Sequence, residues 1–244
     1  MLAAGLALSL PAHAFDWSGI LKDVTSQPAS ETATTSRVDA LSTAEINSGL
    51  KEALTRGADA AVAQLGQKDG FFGNDALKIP LPPGLQKAEK AMRMFGMGKQ
   101  ADELVLSMNR AAEAAVPEAK PLLVNAVKAM TLEDAKGILT GGKTSATDFF
   151  RRKTEAKLAE RFAPIVKANT DKLGLAQQYN QYAGMAAQFN LVDKKQANVE
   201  RYVTQQALDR LYTLIGEKEA AIRANPMQAG SDLLKKVFGA VGGK

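Results

Sequence analysis

Apolar residues recur along this chain three and four positions apart, and no stretch alternates with a period of two. Ile46, Leu50, Leu54, Ala61 and Leu65 form the first stripe. Ser42 with Glu45 reads as a capping box before it, and Leu41 with Ile46 as a hydrophobic staple. Shorter stripes follow: Leu85, Ala88, Met92 and Phe95; Leu104, Met108, Ala111 and Ala115; then Leu123, Val127 and Met130 after Pro117. Thr131, with Asp134 three residues on, caps a short helix that Gly141-Gly142 stops. Ser145 and Asp148 form a further box, opening a helix with Phe149, Phe150, Leu158 and Phe162 that Pro164 must bend or restart. Tyr179, Tyr182, Met185 and Phe189 come next. The strongest stripe is Val199, Val203, Ala207, Leu211, Ile215 and Ile222, ended by Asn225-Pro226. Leu233, Leu234, Val237 and Phe238 suggest a terminal helix before a Gly-rich tail at 240–244. The expectation is one compact all-α domain over residues 41–239, with eight or nine helices.

Residues 66–84 break the helical period. Gly66, Gly70 and Gly73 punctuate the stretch, and Phe71-Phe72 offers to pin it to the core. Ile79-Pro80-Leu81-Pro82-Pro83 must be extended, because proline disfavours helix in the residue before it. A long irregular Gly/Pro loop inside a compact domain is often functional.

The first 40 residues carry a different pattern. Leu2–Leu10 is an apolar run, and Ala12-His13-Ala14 is an A-x-A cleavage site, so residues 1–14 read as a signal peptide cut near Ala14. The run lacks a preceding basic stretch, which places the expected translation start upstream of Met1. It is also far shorter than the roughly 20 residues a membrane span needs. Residues 15–40 are rich in Ser, Thr and Ala and read as a flexible leader. The expected location is the periplasm or the secreted space. The chain has no cysteine, and its one histidine, His13, lies in the cleaved part. The mature protein therefore cannot hold a Ser-His-Asp or Cys-His pair, or a His/Cys zinc site. No metal and no cofactor is implied. Export without cysteine leaves burial alone to hold the fold.

Net charge is +5, unevenly placed: residues 1–142 carry 14 basic and 16 acidic groups, residues 143–244 carry 17 and 10. The plain reading of the basic half is a solvated lysine-rich surface, and export argues against nucleic acid as a partner.

Seven stretches, in order, resemble one known family: LSTAEINSGLKEAL (41–54), IPLP (79–82), NRAAEAA (109–115), MTLEDAKGIL (130–139), SATDFF (145–150), EAAIRANP (219–226) and LLKKVFG (233–239). Together they look like the bacterial exported proteins of the domain-of-unknown-function family 4197. Many members have Tyr-Phe where this chain has Phe149-Phe150. The resemblance implies an exported helical domain and no particular reaction.

Several constellations could carry chemistry. Gly137 to Thr144 fits the P-loop pattern letter for letter. That motif needs a strand feeding its glycine loop, and here the preceding Leu132–Leu139 reads as helix, so the match is a coincidence. A weaker anion-binding reading places Lys143, Ser145, Thr147, Arg151 and Arg152 around the free amides of a helix start. Against it stands an ordinary capped helix with basic residues on its surface. A second set is polar: Asn109, Glu113, Asp134, Glu219 and Arg223. Asn109 with Glu113, and Glu219 with Arg223, are four apart and share a helix face. Carboxylates among alanines could act as general acid and base on a glycan, or could tie helices together. The second reading is favoured. Met92, Met94 and Met97 make a poor thioether site for copper, since Met92 falls on the core stripe. Tyr179, Tyr182 and Phe189 share a face that reads as core.

The sequence thus points to a non-enzymatic exported domain binding an envelope protein or ligand. A carboxylate-based glycan hydrolase and an apolar-ligand carrier are its rivals. Oligomeric state stays open.

Overall fold

A computed structural model describes residues 43–82, 86, 89–90, 93–94, 96, 98–171, 179–180 and 198–225. Among them the chain is helical and has no strand. The elements are α1 (Thr43–Gly66), α2 (Gly98–Ala115), a 3-10 turn (Val116–Glu118), α3 (Ala119–Lys128), α4 (Leu132–Thr140), α5 (Ser145–Thr170) and α6 (Val199–Ala224). That is fewer than the eight or nine helices expected. The stripe at Tyr182, Met185 and Phe189 and the terminal stripe at 233–238 lie outside the described residues. So do the stripe at Leu85, Ala88, Met92 and Phe95, as well as Met97 and the proposed box residue Ser42.

The all-α expectation holds among the described residues, and the stripes they carry face one core. α5 runs along α6 and against α2, while α1 lies on α3 and α6. Phe149, Phe150, Leu158 and Phe162 of α5 meet Val203, Leu208, Leu211 and Tyr212 of α6 there, all within about a percent of full burial. Ala111, Ala112 and Ala115 are fully buried on α2, and their small side chains let α5 approach closely. No described helix is long and apolar enough to cross a membrane.

Two local features depart from the sequence pattern. Pro164 does not restart its helix: α5 continues through it to Thr170. Pro164 is exposed, so water can solvate the Glu160 carbonyl that lost its N–H partner. The Ser145/Asp148 box does not form either. Thr144 is the N-cap, with no side-chain hydrogen bond to the helix amides. Thr131, by contrast, makes the expected reciprocal box with Asp134 at the start of α4.

Candidate functional site

The irregular stretch after α1 has no helix or strand to satisfy its backbone, yet part of it is buried. Phe71, Leu77, Ile79 and Leu81 all point into the core. Buried amides and carbonyls need partners, and helical side chains supply them. Both the Phe71 and Phe72 amides donate to Glu113 Oε1, at 3.1 and 3.2 Å. Asn109 acts as a one-residue strand: it accepts the Ile79 amide at 2.8 Å and donates to the Ile79 carbonyl at 2.9 Å. On either side, Arg210 donates to the Lys78 carbonyl at 3.1 Å and Tyr202 to the Pro80 carbonyl at 3.0 Å. Three successive carbonyls are thus held from α2 and α6. Asn109 is fully buried and Glu113 nearly so.

The turn itself demands special residues. Asp69 has φ 67°, in the left-handed region, and Arg110 holds its carboxylate at 2.7 Å while reaching Glu113 at 2.6 Å. A Cβ on Gly70 would sit 2.5 Å from the Gln64 carbonyl oxygen, so only glycine fits. Asn74 then organises a tight turn, accepting the Ala76 amide on its side chain and the Leu77 and Lys78 amides on its carbonyl.

Beside the clamped loop lies a cleft of about 370 Å³, lined by Phe72, Asp75, Lys78, Pro80, Leu81, Glu89, Arg93, Asp102 and Val105. Lys78 Nζ sits 4.3 Å over the Phe72 ring. Arg93 is engaged by Glu89 and Asp102 together. Its hydrogen bond holds the Asp102 carboxyl below the ordinary carboxylate range, so Asp102 is a fixed anion near neutral pH. Burial pushes the Tyr202 phenol up and the Arg210 guanidinium down.

A second polar junction closes the start of α5. Glu219 of α6 accepts the Ala146 and Thr147 amides at 2.9 Å each and the Thr147 hydroxyl at 2.8 Å. Arg223 donates to Glu219, to Ser145 Oγ and to the Ile138 carbonyl at the end of α4. A cavity of about 30 Å³ lies next to it, lined by apolar residues such as Leu50, Leu54, Ile138 and Ile215.

The family description "protein of unknown function (DUF4197)" matches residues 40–239. The chain belongs to that family. No curated protein and no solved structure matches it. The match covers every described helix, so both polar junctions are parts of the family domain.

Placed on this geometry, the five polar residues named from sequence do not form one network. Asn109 and Glu113 hold the loop. Glu219 and Arg223 hold the α5 start, joined by Ser145 and Thr147 from the anion-binding set. Asp134 is separate, in its own capping box, where the Thr131 backbone amide keeps its carboxyl low. The amides that would greet an external anion at α5 already bind the Glu219 carboxylate, which sits where such an anion would. Arg151 is not free: it pairs with Glu155 and Asp209 and stacks on Tyr212 at 4.6 Å. Lys143 and Arg152 are exposed. Gly137 to Thr140 belong to α4, as the rejection of the P-loop required. Met94 is 85% exposed. Sequence reasoning missed Tyr202 and Arg210 as loop anchors, because a contact more than 120 residues away leaves no local signal. It also missed the cleft, although five of its lining residues come from the loop it had singled out.

Proposed function

We propose that this chain is an exported, non-enzymatic helical domain that binds an envelope protein or ligand through the face made by residues 71–82 and the adjoining cleft. The observation that carries the reading is the anchoring of a segment with no secondary structure. Side chains of α2 and α6 spend buried polar groups on holding its backbone. A preorganised surface loses little entropy on binding, and such loops carry recognition on rigid scaffolds. Export is supported by the apolar run at 2–10, the Ala12-His13-Ala14 site and the lack of cysteine.

The rivals have less support. Glu113 and Glu219 spend both oxygens on protein donors, which is the work of a tie rather than of an acid facing substrate. An apolar-ligand carrier needs a pocket of about 300 Å³ or more, and the apolar cavity beside Glu219 is about 30 Å³. The test is a photo-crosslinking amino acid placed at position 75 or, as control, at exposed position 157, in cells. A specific adduct is expected at 75 alone, and Phe72→Ala should remove it without changing the melting temperature. No adduct at 75, or equal adducts at both positions, overturns the reading.

A further inference from the structure

Where α1, α4, α5 and α6 meet, the apolar cavity of about 30 Å³ is lined by Leu50, Leu54, Ile138, Phe150, Ile215 and Ile222, among others. It has room for more than one water, yet such walls offer water almost no hydrogen bonds. Ile222 is only half-buried, although the other five are core residues. The Glu219–Arg223 pair borders the same cavity, and the Arg223 side chain is 19% exposed. The described chain also ends here. α6 stops at Ala224, two residues past Ile222, and residues 226–244 lie outside the described part. In that remainder Leu233, Leu234, Val237 and Phe238 are spaced to share one helical face, with Lys235 and Lys236 off it. Four large apolar side chains on one face gain by leaving water. Residues 226–232 span up to roughly 25 Å when extended, enough to turn this stripe back along α6, and Pro226 prevents α6 from simply running on. The family match starts at residue 40 and runs through the stripe to residue 239. It therefore includes the stripe together with the cavity and leaves out the apolar residues near the N-terminus.

We propose that residues 233–238 fold back as a C-terminal latch. The stripe seats on α1, α4 and α6 over the cavity and seals the Glu219–Arg223 junction from water. The seal has a consequence at the start of α5. Water at Glu219 competes for the Ala146 and Thr147 amides and weakens the pair with Arg223, whereas a covered, low-dielectric junction strengthens both. The end of the chain thus secures a helix start more than 80 residues away.

The test places a benzophenone amino acid in the full chain at position 238 or, as control, at position 236. After illumination of dilute protein, position 238 should crosslink within its own chain to peptides carrying Leu54, Ile138 or Ile222, and position 236 should not. Phe238→Asp should speed amide exchange at Ala146 and Thr147 by about tenfold or more and lower the urea midpoint. Lys236→Gln should leave both unchanged. Crosslinks from 238 that join two chains and vanish on dilution give the cavity to a second copy and overturn the latch. Crosslinks from 238 to other parts of the chain, or unchanged exchange in Phe238→Asp, overturn it as well.

Discussion

Glu219 shows how much one side chain can hold. Its carboxylate caps α5 from α6, replacing the local serine or aspartate cap, and it binds the Arg223 guanidinium that ties down the end of α4. Glu219→Ala frees two buried amides, a threonine hydroxyl and a largely buried arginine together. It should cost about 2–4 kcal/mol, read as a lower urea midpoint. Arg152→Ala nearby should change stability by less than about 0.5 kcal/mol. Glu113→Gln is a subtler probe of the loop. Glutamine keeps one acceptor for the Phe71 and Phe72 amides but cannot pair with Arg110. The expected outcome is a loss of about 1–2 kcal/mol with faster amide exchange at Phe71 and Phe72. Unchanged exchange there would show that the carboxylate is not what holds the loop.

At the level of elements, the stripes were legible because burial repeats with the helical period. Val199, Val203, Ala207, Leu211 and Ile215 all lie in the core, as do Phe149, Phe150, Leu158 and Phe162. The Thr131/Asp134 start was legible because its partners are three residues apart. The start of α5 was not, since its cap comes from more than 70 residues away. Pro164 does not restart its helix because proline's cost depends on exposure, which periodicity does not report. The loop was legible as an interruption, but its anchors were readable only in part. Asn109 and Glu113 stood out as polar residues among alanines, whereas Tyr202 and Arg210 looked like ordinary helix residues. Gly57 is an element-level weakness that sequence alone leaves unexplained. It lies inside α1, beside the small cavity, and a Cβ there would meet nothing within 4 Å. Gly57→Ala should therefore stabilise the protein by about 1 kcal/mol, through helix propensity with no steric cost. A lower melting temperature for this variant would mean that the site needs its space.

For the whole molecule, the absence of histidine and cysteine past residue 14 gives an unusual pH profile. With no imidazole or thiol to titrate, the urea midpoint should stay flat across the neutral range. On the acid side, Asp102 and Asp134 are both held below the ordinary value, by Arg93 and by the Thr131 amide respectively. Their contribution is present above the ordinary carboxylate range and is lost as pH falls through it. Both are solvent-facing, so this effect is small. The alkaline side is different. Burial raises Tyr179, Tyr202 and Tyr212, the last from 10 to about 12. The fold keeps these phenols neutral. Below pH 10 both states are protonated and nothing is lost. Above it the unfolded chain releases protons that the folded chain retains, so stability declines with rising pH. Tyr212→Phe separates this effect from general alkaline unfolding. It removes the hydrogen bond to Thr154, costing about 1 kcal/mol at neutral pH, but it also removes one titrating group. The variant's stability should fall less steeply than that of the parent chain between pH 10 and 12, so the two curves converge. Parallel curves over that interval would show that the Tyr212 phenol titrates alike in both states, and that the helices around it admit more water than their packing indicates.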